Sequence, residues 1–198
     1  MQQHALIIGA SGVIGSNLAS HLLAQGWQVT GVSRGRTPVP TGCSALQLDA
    51  TDGAAVSAAL AGLDASHVFF TAWARQENEQ ENIRVNGAMV ANVLAALGPA
   101  GHLRHAALVT GLKHYLGPFD AYGQGAVPVT PFREEQGRQP VENFYYAQED
   151  RLFEAAAQYG FTWSVHRPHT IIGYAPARPF NSTRKAPGSK AKFDGSKV

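Results

Sequence analysis

Gly9, Gly12 and Gly15 follow directly on the apolar run Ala5 to Ile8 and recur every third residue. Glycines so spaced let a chain turn sharply out of a strand and bring its backbone against a pyrophosphate. They also let it start a helix whose free N–H groups and positive dipole end face that anion. Ser11 and Val13 lie in the same turn and belong to the expected cofactor contacts. The triplet alone also fits an ordinary β-turn-α unit; its place between a strand and a helix points to a dinucleotide. Roughly 20 residues on, NAD-specific sites carry an acidic residue for the ribose diol. Here the sequence reads Ser33, Arg34, Gly35, Arg36. A guanidinium there suits a 2′-phosphate, so NADPH is the expected cofactor, with a solvated arginine pair in a loop as the alternative. Asp49, after Leu46 and Leu48 at the end of a third strand, either accepts from the adenine amine or, with Thr51 and Asp52, caps the next helix.

The elements that must position these groups are legible as alternation. Strand-like runs fall at Ala5 to Ile8, Trp27 to Ser33, His67 to Ala72, Ala106 to Thr110 and Thr162 to His166. Helical stretches fall at Gly12 to Gln25, Gly53 to Ala61, around Asn82 to Leu97, and at Tyr145 to Tyr159. Such alternation predicts βαβ units and an α/β fold, a Rossmann-type doubly wound parallel sheet with helices on both faces. Between Gly111 and Glu142 the regularity lapses into Gly, Pro and aromatic residues, a long connection of the kind that carries function or disorder. The cofactor-binding domain is expected over residues 1–176. Residues 177–198 hold only Phe180 and Phe193 as large apolar groups and are expected to form a basic, disordered tail.

Composition narrows the classes. A chain of 198 residues with 44% hydrophobic residues suits one α/β domain rather than two. Cys43 is the single cysteine, so there is no intrachain disulfide and no cysteine pair for a metal, which fits a reducing cytoplasm. The eight histidines, His166 and His169 among them, have no companions at ligand spacing, and no metal site is expected. The net charge of +2 is dominated by Arg178, Arg184, Lys185, Lys190, Lys192 and Lys197 against Asp194, leaving a mildly acidic body without the basic stripe of a nucleic-acid binder. Met1 to His4 has no positive leader region and Ala5 to Ile8 is far too short to span a bilayer, so neither membrane nor nucleic acid is an expected partner. A homodimer is left open.

Two longer motifs carry more specific information. The run Thr110, Gly111, Leu112, Lys113, His114, Tyr115, Leu116, Gly117, Pro118, Phe119 reads T-G-x-K-H-Y-x-G-P-F, and Asn143, Phe144, Tyr145, Tyr146, Glu149, Asp150 reads N-F-Y-Y-x-x-E-D. With Thr71, Ala72, Trp73, Ala74, then Gln80, Glu81, Asn82, and later Trp163 to Pro168, Ile171 and Gly173, most of residues 5–176 resembles the progesterone 5-beta-reductase/iridoid synthase-like branch of the short-chain dehydrogenase/reductase superfamily. The resemblance implies an NADPH-dependent reductase of activated C=C bonds acting on a small enone or other activated alkene. Carried over by motif, Tyr145 donates to the developing enolate oxygen, and Lys113 holds the nicotinamide ribose and keeps the tyrosine's surroundings electropositive. Thr71 and Ile171 join the cofactor contacts. The lysine usual four residues after the superfamily's tyrosine is absent, since Glu149 and Asp150 occupy the two candidate positions. Aligning that frame through Asp150 and Glu154 favours Tyr146 instead, so the choice between the tyrosines stays open. Tyr115 and Phe119 either line the substrate pocket or plug it. Family members continue far beyond the H-R-P-x-x-I-x-G segment, so most of the C-terminal substrate lobe has no counterpart here. A catalytically silent NADPH-binding protein is the alternative function.

Overall fold

The computed structural model describes residues 3–117 and 129–173. The tail beyond 176, together with Pro118 and Phe119, lies outside the described residues. The first five elements are β1 (His4–Ile8), α1 (Val13–Ala24), β2 (Gln28–Ser33), β3 (Ser44–Gln47) and α2 (Gly53–Leu60). They are followed by β4 (His67–Phe70), α3 (Glu79–Leu97), β5 (His105–Val109), the short α4 (Lys113–Leu116), α5 (Phe144–Tyr159) and β6 (Thr162–His166). All five strand pairings are parallel, in the order β3-β2-β1-β4-β5-β6. The order reverses between β1 and β4, the switch point outside which open α/β sheets bind ligands.

Period-two alternation sends the strand residues to two cores. Leu6, Ile8, Val68, Phe70, Ala106 and Leu108 meet α2, α3 and α5 through Val56, Val90, Leu94 and Leu152. Ala5, Ile7 and Val29 meet Ala19 and Leu22 of α1 on the other side. By length and composition α3 would cross a bilayer. It serves instead as a core helix, wedged against α2 and α5, with Asn82 and Asn86 buried and hydrogen-bonded to the segment after β4.

Several boundaries differ from the sequence expectation for local reasons. Helix α3 starts at Glu79 because Asn78 accepts the Glu81 N–H as its N-cap. Strand β3 stops at Gln47, so Asp49 lies beyond it, not at its end, and β4 stops at Phe70. Among its described residues the Gly111–Glu142 connection holds one helical turn, α4, ended by Gly117 at φ 78°.

On the α1 side, β5 and β6 turn polar side chains outward. His105 bonds Thr162 and Ser164, Ser164 bonds His166, and His67 packs near His105 at 6.3 Å between ring centroids. Burial, then the charges of His105 and Arg104, lowers the His67 pKa; burial, then the His166 charge, lowers that of His105. Both rings therefore stay neutral in the fold after their unfolded counterparts protonate near pH 6.5. Stability should be fully present above that pH and should fall as pH drops through it. Urea unfolding at pH 8 and 5.5 checks this: the midpoint should fall at the lower pH, and less so in a His67→Asn, His105→Asn variant.

Candidate active site

Register builds the cleft. Ile8 lies opposite both Val32 and Phe70, so Gly9, Ser33 and Thr71 emerge side by side at the carboxyl ends of three strands. Ser33 in turn pairs with Gln47, which brings Leu48 and Asp49 to the same rim. The cleft between these ends has a volume of about 320 Å³. One wall is Gly9, Ser11, Gly12 and Val13, a second is Ser33 and Arg34, and Asp49, Thr71 and Trp73 complete it.

Two glycines are required by contact rather than by turn preference alone. Gly9 has φ 91°, and a Cβ there would lie 2.6 Å from that of Ala72. Gly15, one turn into α1, would place a Cβ 2.3 Å from the Gly9 carbonyl oxygen and 2.7 Å from the Thr71 hydroxyl. The third glycine thus lets α1 pack directly on the strand ends, although it does not itself line the cleft. Gly12 is the N-cap of α1 and offers no side-chain acceptor to the first-turn N–H groups, and that turn holds no acidic residue. An end with uncapped donors and no carboxylate is chemically suited to a phosphate.

Asp49 accepts from the Thr51 N–H and hydroxyl, and these bonds, with the Arg34 charge nearby, hold its carboxyl below the usual carboxylate range. The helix-capping role falls to Asp52, which accepts from the Ala55 N–H at 3.0 Å. Arg34 is exposed at the rim; Arg36 is exposed and does not line the cleft.

The second group of expected residues lies at the neighbouring strand end, beyond Trp73, whose ring stacks on Phe144 at 5.1 Å. Tyr145 is half-buried, and its hydroxyl approaches Gly111 at the end of β5, where an added Cβ would sit 3.2 Å from it. Tyr146 is buried with its hydroxyl committed at both ends, donating to the His114 carbonyl at 3.0 Å and accepting the Gln139 N–H at 3.0 Å. That tyrosine ties α4 and the segment before α5 together. Lys113 does not line the cleft: it is 1% exposed and paired with Glu79. Ile171 is exposed and also lies outside the cleft wall. Tyr115 stacks on Phe132 at 4.8 Å, and the Gln139 amide donates to its carbonyl. Among the described residues no three His, Cys, Asp or Glu side chains group as metal ligands.

Sequence reasoning placed Glu149 and Asp150 at the superfamily lysine's candidate positions but missed the arginines that enclose them. Glu149, four residues after Tyr145, is 1% exposed and clamped between Arg138 at 2.9 Å and Arg167 at 3.0 Å. Asp150 takes the other side of Arg138 at 2.6 Å. Burial opposes the Arg138 charge, but the Asp150 and Glu149 bonds outweigh it and raise its pKa. The clamp joins the segment before α5, α5 itself and the chain after β6. Only the acidic pair in the N-F-Y-Y-x-x-E-D motif hinted at it.

The order of strands, the glycine turn and the cleft at the reversal define a Rossmann-type nucleotide-binding protein. The chain belongs to the NAD dependent epimerase/dehydratase family, whose model matches residues 5–195. It is 40% identical over 215 aligned positions to a 3-oxo-Delta(4,5)-steroid 5-beta-reductase of Arabidopsis thaliana, covering 98% of this chain and 55% of that protein. It is also 40% identical over 191 positions to an (S)-8-oxocitronellyl enol synthase of Camptotheca acuminata, covering 91% of this chain and 49% of the relative. The chain thus spans about half the length of the curated relatives it matches. Among solved structures, UDP-glucose 4-epimerase of Thermus thermophilus in complex with NAD superposes with a TM-score of 0.68 at 22% identity, over 83% of this chain and 54% of that one. The Bordetella bronchiseptica enzyme WbmG, in complex with NAD and UDP, gives 0.65 at 20%, over 84% and 53%. These two establish the fold, and the sequence relatives establish the reductase and synthase branch as the nearer kin.

Removing one partner from a buried ion pair leaves the other charge stranded, typically at about 3–5 kcal/mol. Arg138 and Arg167 keep some contact with water, so Glu149→Gln should fall at the low end of that range. Glu149→Lys, which restores the superfamily's lysine, should destabilise more because it sets a third cation between two guanidiniums. Urea unfolding of both variants checks the order; a Glu149→Lys protein as stable as its parent would contradict the clamp.

Proposed function

We propose that this chain is the cofactor-binding part of an NADPH-dependent reductase of activated C=C bonds, acting on small enones. The observation that carries the reading is the cleft itself: a glycine cradle that a Cβ would fill, an uncapped helix end, and Arg34 rather than a carboxylate directly after β2. The curated relatives support the chemistry, since the name of one describes reduction of a steroid double bond and the name of another formation of an enol.

The residues present fit a dinucleotide phosphate. Gly9, Ser11, Gly12 and Val13 would hold the pyrophosphate, Ser33 and Arg34 the 2′-phosphate, Asp49 the adenine amine, and Thr71 the wall beneath. NADPH held there would supply hydride to the β-carbon of an enone, leaving negative charge on the carbonyl oxygen and the α-carbon to take a proton from solvent. The Tyr145 hydroxyl is the donor in reach of this end of the sheet, and it stabilises the oxyanion by a hydrogen bond. The Lys113 ammonium lies buried in the same corner against Glu79, and in the arrangement that the family resemblance implies it is the group that would hold the ribose. The Tyr146 hydroxyl is already engaged by His114 and Gln139, which favours Tyr145 for this role.

Tyr145→Phe removes one oxyanion donor, a loss worth about a hundred- to a thousandfold in kcat. NADPH oxidation with 2-cyclohexenone should fall accordingly while NADPH affinity holds, and Tyr146→Phe should lose stability instead. A second reading, an NADPH-binding protein without turnover, is favoured by one observation: Lys113 sits outside the cleft wall. Binding of NADPH with no enone-dependent oxidation would select it.

The cofactor preference is a separate expectation. A hydrogen bond to a charged group contributes roughly 1.5–3 kcal/mol, which amounts to about ten- to a hundredfold in affinity. Exposure of Arg34 sets the lower end. Calorimetry should find NADPH about tenfold tighter than NADH, with the difference reduced by Arg34→Ala and removed when Arg36→Ala is added; equal affinities in the unmutated protein would overturn it.

A further inference from the structure

Lys113 and Tyr145 stand on different elements, and one carboxylate from a third joins them. Glu79 is the first residue of α3. Its Oε2 pairs with the Lys113 ammonium, and its Oε1 accepts the Phe144 N–H at 2.7 Å. Phe144 opens α5 and directly precedes Tyr145. The far end of Lys113 is tethered to the same place, since its carbonyl accepts from the Asn143 amide at 3.0 Å. The ammonium lies over the Phe144 ring, 4.6 Å from its centroid.

This is more than a helix cap. The start of α5 has its N-cap in Asn143, whose side chain accepts the Tyr145 N–H. An amide at position 79 would still offer the Phe144 N–H an acceptor, though a weaker one than a carboxylate. What needs a charge is the ammonium, buried at 1% exposure, because a cation out of water must be paired. A lysine stem has many rotamers. Fixing the stem by its charge at one end and its backbone at the other leaves the ammonium one place relative to the start of α5.

We propose that Glu79 is a positioning residue, whose carboxylate sets the Lys113 ammonium against the Tyr145 helix and so governs cofactor affinity and turnover through Lys113. The assignment rests on the roles given above to Lys113 and Tyr145. It differs from a structural role in one respect: its effect must vanish when Lys113 is gone.

A double-mutant cycle on the full chain reads this. Glu79→Gln keeps an oxygen for the Phe144 N–H and removes the charge; Lys113→Met keeps the stem and removes the ammonium. NADPH affinity is measured by calorimetry, turnover with 2-cyclohexenone, and folding by thermal unfolding of each variant. Glu79→Gln alone should lower turnover about tenfold and weaken NADPH several-fold, and in the Lys113→Met background it should change either by less than about twofold. Glu81→Gln, on the same turn of α3 but paired with Arg84 at the surface, is the control that leaves both unchanged. Equal losses in both backgrounds, or no loss in the first, overturn the proposal. If the parent binds NADPH without turning over an enone, the reductase reading fails, and coupling in affinity alone still decides for or against Glu79. Should Glu79→Gln unfold, Glu79→Asp takes its place in the cycle: it keeps the charge but draws it back by a methylene, and the same non-additivity with Lys113→Met is required.

Discussion

The approach of Gly15 to the Gly9 carbonyl is the contact on which the cleft depends. With no side chain between them, α1 lies close enough to β1 for its first turn to face the strand ends directly, and the Thr71 hydroxyl fills the remaining space. A methyl group at residue 15 would push the helix outward, and with it Gly12, Val13 and the donors they present. The walls formed by β2 and β4 would stay where the register puts them, but the cleft would open along its most important side. Close packing of this sort is unforgiving, because interiors as dense as crystals have nowhere to move an extra atom.

The corner holding Lys113 and Tyr145 depends on a different kind of force. Among the described residues, none of α4 or of the segment before α5 belongs to either apolar core. They are held by polar bonds to α5: Tyr146 to the His114 carbonyl, Asn143 to the Lys113 carbonyl, and Arg138 to Glu149. The first two bonds are buried, the third partly so, and all are directional, so they fix orientation more sharply than side-chain packing would. They also concentrate risk, since losing Arg138 takes a partner from a Glu149 carboxylate that has almost no water. The glycine-lined cleft is thus set by sterics and the neighbouring Lys113–Tyr145 corner by electrostatics.

That division explains what could be read from the sequence. The parallel sheet, the glycine turn and the rim positions of Ser33, Arg34 and Asp49 were legible because short-range rules govern them: a period, a turn and a fixed offset along one βαβ unit. The helical turn at Lys113 to Leu116 was hidden inside a stretch without periodicity, and four residues carry too little pattern to announce themselves. Glu79 was invisible for another reason. It lies 34 residues from Lys113 and 65 from Phe144 in sequence, and nothing local marks an acidic residue in a first helical turn as anything but a favourable charge at the dipole end. The clamp around Glu149 was half visible, as an acid where a lysine was expected, while the arginines that answer it come from segments on either side. Tyr145 and Tyr146, indistinguishable as neighbours in a motif, separate at once in space because adjacent helix positions face different ways.

The outer strands carry one more consequence. β1 is buried along its whole length, yet β6 reads Thr162, Trp163, Ser164, Val165, His166, with only the alternate residues facing the helices. A parallel strand with that alternation is dressed for water on one side, as antiparallel strands commonly are. Any polypeptide laid on the α1 side of β5 and β6 would therefore meet, beside Ala107 and Val109, hydroxyls and imidazoles already bonded to one another. Such a junction would be wet, its fit set by bridging solvent and by complementary donors rather than by squeezing water out, and its strength would come from geometry more than from area.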